Sequence, residues 1–275
     1  MAGAAGTAGR IDAMFARLRT EGRKALVTFA VAGDPDFEES LASLHAFVDS
    51  GIDLIELGYP FSDPILDGAT IQRANRRAMA AGGNLSRALD LVAAFRKTDM
   101  VTPVILMGYS NPLLAIGYDA CAKRAAKAGV DGIIVADMPL READEFLACL
   151  DAAGLVMIAL AAPTLDEADF AERPGIGGFL YCIPVAGPTG GPSPSIDATA
   201  AAVKRCRAVT ARPILVGFGI KTPADASATT RVADGVIVAS ALIEQVHRQP
   251  RAGCDRVGLY REQILLFRQA IDGAR

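Results

Sequence analysis

Short apolar runs alternate with helical segments along the whole chain, and this alternation restricts the fold more than any other feature of the sequence. The runs read as strands over Ala25–Val31, Leu54–Leu57, Pro103–Met107, Gly132–Val135, Val156–Leu160, Phe179–Ile183, Pro213–Val216 and Gly235–Val238. Between them, apolar residues at helical spacing predict helices over Phe37–Ser50, Leu85–Arg96, Tyr118–Ala128, Arg141–Ala153, Ala198–Val209 and Ser240–His247. A related punctuation recurs before strands: Ser50-Gly-Ile-Asp53, Ala128-Gly-Val-Asp131 and Ala153-Gly-Leu155. In each, a glycine ends a helix and the chain turns straight into a strand. About eight such βα units without a linker predict a single (β/α)8 TIM barrel. Residues 1–9, rich in Ala and Gly, read as a flexible tail, and 10–275 as one catalytic domain with extra helices at the N-terminus and the C-terminus. Tyr260–Ile271 is the terminal helix outside the barrel. An open doubly wound sheet is the alternative, but no Gly-x-Gly-x-x-Gly opens the first helix.

Composition narrows the class. Apolar residues make up 51% of the 275 and charged residues 21%, enough for a large core and contrary to disorder. A net charge of -3 gives no reason to expect nucleic acid or an anionic membrane as partner. No apolar run approaches the roughly 18 residues of a membrane span. Cys121, Cys149, Cys182, Cys206 and Cys254 form no CxxC pair, and no secretory apolar segment precedes them. A reducing, cytoplasmic setting is the expectation.

The chemistry concentrates in one stretch. Glu56 lies inside the second strand between Leu54, Ile55 and Leu57. A carboxylate buried without a partner costs several kcal/mol or raises its own pKa. The chain then leaves through Gly58, Pro60, Ser62, Asp63 and Pro64 and brings Asp67 to the edge of a helical pattern. A strand-end acid followed by a polar loop with a second acid is how parallel barrels assemble active sites. The plainer alternative pairs Glu56 with a buried cation and makes Asp67 the cap of a helix beginning near Gly68.

Three turns late in the chain, Gly187-Pro-Thr-Gly-Gly191, Gly217-Phe-Gly219 and Val238-Ala-Ser-Ala241, follow the sixth, seventh and eighth strands. Small residues there let backbone N–H groups and a helix N-terminus approach an anion, which predicts a phosphate site. His45 and His247 lie in helical patterns in opposite halves of the chain, so no metal cluster or Ser-His-Asp triad is evident. None of the lysines ends a strand inside an apolar run, as an imine-forming lysine in a desolvated pocket should. Carboxylate acid–base chemistry on a phosphorylated substrate remains.

Leu57-Gly-Tyr-Pro-Phe-Ser-Asp-Pro-Ile-Leu-Asp-Gly68, with Thr70-Ile-Gln72, closely resembles the signature of tryptophan synthase alpha subunits. Ala32-Gly-Asp-Pro35, Leu106-Met-Gly-Tyr-Ser-Asn-Pro112, Val130-Asp-Gly-Ile-Ile-Val-Ala-Asp137, Gly217-Phe-Gly-Ile220 and Val236-Ile-Val-Ala-Ser-Ala241 follow in family order. The resemblance implies retro-aldol cleavage of indole-3-glycerol phosphate to indole and glyceraldehyde 3-phosphate. It also implies no cofactor in this chain, and a beta subunit carrying pyridoxal phosphate that receives the indole in an α2β2 complex. By the same resemblance Glu56 is the general acid–base and Asp67 the carboxylate that binds the indole N–H. Phe29, Leu106, Ile134 and Phe218 match the indole pocket, and Tyr181 matches a tyrosine beside the reacting centre. Gly190, Gly219 and Ser240 match the phosphate loops, Thr189 a lid residue closing on Asp67, and Pro60 and Asp63 the partner interface. A stand-alone lyase and a weakly active subunit that mainly regulates a beta partner are the alternatives.

The departures from the family pattern cluster in the sixth loop, Pro184-Val-Ala-Gly-Pro-Thr-Gly190, where the family usually reads Ser-x-x-Gly-Val-Thr-Gly. Pro184 and Pro188 fix φ and remove two N–H donors. Ala239 stands at a usual glycine and Val31 at a usual threonine. Both acids are kept.

Overall fold

Eight parallel strands close into a barrel, each hydrogen-bonded to the next and the last to the first. The computed structural model describes residues 8–163, 173–185, 193–248 and 255–274. In chain order the elements are α1 (Ala8–Thr20), β1 (Ala25–Val31), α2 (Phe37–Asp49), β2 (Leu54–Gly58), α3 (Ala69–Ala80), α4 (Leu85–Phe95) and β3 (Val104–Gly108). There follow α5 (Ser110–Ile116), α6 (Tyr118–Ala128), β4 (Gly132–Val135), a 3-10 turn (Leu140–Glu142), α7 (Asp144–Ala152), β5 (Val156–Ala161) and β6 (Ile176–Cys182). The chain ends with α8 (Ile196–Val209), β7 (Ile214–Val216), α9 (Pro223–Thr230), β8 (Gly235–Val238), α10 (Ser240–His247) and α11 (Arg256–Asp272). No helix among the described residues is long and apolar enough to cross a membrane.

Two-residue periodicity divides each strand between two apolar layers. Val27, Leu54, Ile105, Ile134, Ile158, Phe179, Leu215 and Ile237 fill the interior. Ile11, Met14, Phe15 and Leu18 of α1 join them, with Phe15 edge-on to Phe179 at 6.1 Å, so α1 plugs the N-terminal end. Leu26, Ile55, Leu57, Leu106, Ile133 and Val135 face outward into the layer beneath the helices.

The aspartates of Gly51-Ile-Asp53 and Gly129-Val-Asp131 have a structural use, and Asp234, which follows no such glycine, shares it. Asp53, Asp131 and Asp234, each just before an even-numbered strand, accept the N–H of Leu26, Val104 and Ile214 at 3.0, 2.8 and 2.8 Å. Each clasp ties a strand to its predecessor and is held by an arginine: Arg268 at 3.1 Å, Arg96 at 2.8 Å and Arg207 at 2.9 Å, respectively.

Several boundaries differ from the sequence reading. Ala8 and Gly9 belong to α1 rather than to a tail, and residues 1–7 lie outside the described residues. β6 begins at Ile176, earlier than the apolar run, because Gly177 and Gly178 interrupt the hydrophobic pattern. The segment expected as one helix over Arg141–Ala153 divides into the 3-10 turn and α7. α9 escapes periodicity because its core, PADASATT, is small and polar; a capping box between Thr222 and Asp225 starts it instead.

Candidate active site

Leu54 points into the barrel, so Glu56, two residues on, lies on the same side nearer the C-terminal end. Glu56 is 1% exposed, and its Oε2 has no hydrogen-bond partner among the described residues. No arginine, lysine or histidine forms an ion pair with it among the described residues, contrary to the buried-cation alternative. Burial, and then the charge of Asp67, push its pKa up to about 8.

Asp67 is not a helix cap either. Gly68 occupies that position, and the Asp67 carboxylate instead accepts from Asn75 Nδ2 at a long 3.4 Å and from the Tyr109 hydroxyl. Burial raises its pKa to about 6, against the pull of those two donors. Gln72 holds the Asp67 carbonyl at 2.9 Å, and Tyr109 Oη accepts the Leu66 N–H at 3.1 Å. The second acid is therefore oriented by α3 on one side and by the residue after β3 on the other.

Both acids line one cavity, and Asp67 sits where it meets a second. One is lined by Phe29, Glu56, Asp67, Ile71, Met107 and Tyr181 and runs on to Gly217–Lys221, Ala239 and Ser240. The other, about 500 Å³, shares Asp67, Met107, Tyr181, Gly217 and Phe218 and spreads over Val135, Leu140, Met157, Leu160 and Ile183. An apolar chamber thus lies on one side of the acids, and the glycine turns with a helix N-terminus on the other. Two glycines are required for this. A Cβ on Gly217 would fall 2.1 Å from Tyr181 Oη; Gly219 has φ +79°, and its Cβ would fall 2.4 Å from Pro194 Cδ. Ala239 does not adopt the left-handed φ that favours glycine: its φ is -117°.

The family model described as tryptophan synthase alpha chain matches residues 15–266. The chain belongs to the tryptophan synthase alpha chain family. The Caulobacter vibrioides member is 48% identical over 244 residues, covering 87% of this chain and 88% of that one. The Granulibacter bethesdensis member is 44% identical and covers 97% of each chain. Among solved structures, the tryptophan synthase alpha subunit of Legionella pneumophila superposes with a TM-score of 0.89 at 38% identity, over 96% of this chain and 98% of that one. The family consists of lyases acting in tryptophan biosynthesis, and nothing in these matches favours a stand-alone lyase or a purely regulatory subunit.

Within this family frame, Phe29, Glu56, Asp67, Tyr181, Phe218, Gly219 and Ser240 line the joined cavities. Leu106 does not: it faces outward beneath the helices, and Met107 takes the inward position, because the strand's alternation places them on opposite faces. Ile134 points inward but packs in the interior layer and lines neither cavity. Pro60 is buried, against the expectation of a surface contact, whereas Asp63 is exposed. Thr189, Gly190, Gly187, Pro188 and Gly191 lie outside the described residues, and Pro184 is buried. Val31 packs with Phe29 and Ile71.

Sequence reasoning missed Tyr109, Asn75, Ile71, Met107 and Lys221. Asn75 carried a signal, as a polar residue on the stripe Ile71, Ala74, Ala78 that α3 buries. Tyr109 and Met107 stood inside the motif after the third strand without an assigned role. Among the described residues no group of three His, Cys, Asp or Glu side chains is placed to hold a metal ion.

Proposed function

We propose that this chain cleaves indole-3-glycerol phosphate by a retro-aldol reaction, releasing indole and glyceraldehyde 3-phosphate. The observation that carries the reading is the Oε2 of Glu56, buried without a hydrogen-bond partner among the described residues in the cavity it shares with Asp67. With its pKa near 8, Glu56 carries a proton at neutral pH and donates it to indole C3. The ring becomes a positively charged indoleninium, and Asp67, ionised above about pH 6, accepts the indole N–H and stabilises that charge. The side-chain hydroxyl then returns its proton to Glu56. The C–C bond breaks, its electron pair restores the indole, and the aldehyde leaves. Two acids kept apart in pKa by their surroundings thus divide the work. The Tyr181 phenol, held protonated by burial, lines the same cavity. The indole fits the apolar chamber, and the phosphate fits the turns at Gly219 and Ser240.

In this reading a beta subunit takes the indole in an α2β2 complex, pyridoxal phosphate belongs to that partner alone, and the setting is cytoplasmic. The loop that carries Asp67 also exposes Ile65 (76%) and Leu66 (44%) beside Asp63. A partner covering that loop would act directly on the position of the second acid. Activation must come from tighter binding to the active arrangement, and a hundredfold gain requires about 2.7 kcal/mol. Steady-state indole release from indole-3-glycerol phosphate, with and without an added beta subunit, tests both parts. We expect slow release alone and a large acceleration with the partner. No release in either condition would overturn the reaction, and full speed alone would overturn the dependence on the partner.

A further inference from the structure

The cavity holding Glu56 and Asp67 meets a second groove, lined by Ala69 and Thr70 of α3 and by Ser240, Ala241, Glu244, Gln245 and Arg248 of α10 and its end. Lys221 and Ser240 line both. Charge in the groove is unevenly matched. Arg248 donates to Glu244 at 3.2 Å, so those two offset one another. Lys221 forms no ion pair among the described residues. Its backbone is fixed, because the Lys221 N–H donates to Asp225 Oδ2 at 3.1 Å at the start of α9. α10 begins beside it without a side-chain cap, leaving its first N–H groups to the cavity. The unpartnered, buried Oε2 of Glu56 in the same cavity independently marks a place built around a bound molecule.

A helix N-terminus offers about half a positive charge, which falls well short of a phosphate dianion. We propose that Lys221 supplies the missing charge, and that its ammonium makes the site select a phosphorylated substrate over the same molecule without phosphate. This rests on the phosphate placement in the proposed reaction. A lysine suits the task as a compact point charge with rotatable donors at the rim of the site.

The test uses the full chain. Inorganic phosphate binding is measured by calorimetry for wild type, Lys221→Gln and Lys221→Arg. The ratio of kcat/KM for indole-3-glycerol phosphate to that for indole glycerol is measured on the same three. We expect Lys221→Gln to weaken phosphate binding and to lower the ratio, each by about tenfold, at the low end for a charge-assisted hydrogen bond. Lys221→Arg should recover most of both, a rescue that a merely structural role would not show. If wild type binds phosphate and Lys221→Gln binds it equally well with an unchanged ratio, the assignment of Lys221 is overturned and the phosphate site stands. If wild type neither binds phosphate nor prefers the phosphorylated substrate, both are overturned.

Discussion

At the N-terminal end of the barrel, fully buried Asp131 holds Arg96 at 2.8 Å, Arg10 at 2.9 Å and the Val104 N–H at 2.8 Å. At the C-terminal end Glu56 is as deeply buried, and one of its oxygens has no hydrogen-bond partner among the described residues. Burial pushes both carboxyls up. At Asp131 the Val104 N–H and two arginines pull against it, whereas at Glu56 the charge of Asp67 adds to it. The difference separates the two uses of a buried acid. A paired carboxylate locks strands together, and an unpaired one keeps a proton available at neutral pH at a cost in stability.

The largest effect that would break this comparison is on turnover. Glu56→Gln should lower indole release by about 10²–10⁴-fold or more, because it deletes the proton transfer. The same change should leave stability at pH 8 unchanged or raised, since a neutral amide replaces an unmatched acid. Urea unfolding that shows a large loss would mean that Glu56 is structural after all. The opposite end should respond in the opposite way. Asp131→Ala strands Arg96 and the Val104 N–H, and should cost about 3–5 kcal/mol in urea unfolding while the folded fraction keeps its kcat.

Proton linkage sharpens the contrast. The folded-state pKa of Glu56, about 8, lies above its usual 4.5, so the folded state binds the proton more tightly than the unfolded chain. Its contribution is therefore fully present below about pH 4.5 and is lost as pH rises through 8. Wild type minus Glu56→Gln should show a stability difference that declines over that window, and a flat difference would contradict the unpaired state. The lyase rate should follow a bell, falling below about pH 6 as Asp67 protonates and above about pH 8 as Glu56 loses its proton. The smallest effect concerns the partial pairing of Asp67. Removing the Tyr109 hydroxyl in Tyr109→Phe takes away a donor that lowers the Asp67 pKa, so the acidic limb of the bell should move to higher pH with a rate loss of only a few-fold. An unmoved limb would show that Tyr109 does not tune the acid.

The strand runs, the barrel and the two acids were legible in the chain because periodicity and a charged residue inside an apolar run are local signals. The Gly-x-Asp punctuation was legible as a turn; its use as a clasp was not, because Asp131 binds Arg10 from α1 and Arg96 from the end of α4. Phase was the weakest inference. Leu106 and Met107 are adjacent apolar residues, and only the closed barrel decides which faces the interior. Pro60 likewise could not be placed beneath the surface without the packing around it.

By itself, then, the sequence determined the order and type of the elements and which residues could carry acid–base chemistry, since both follow from side-chain pattern along a few turns or one strand. Only the tertiary structure decided that Glu56 pairs with no cation among the described residues, that Tyr109 reaches back to the Asp67 loop across 43 residues, and that Lys221 and Ser240 from successive loops line one cavity with both acids. The reason is physical. Burial and charge pairing are set by whichever groups closure of the barrel brings near, and those groups lie far apart along the chain.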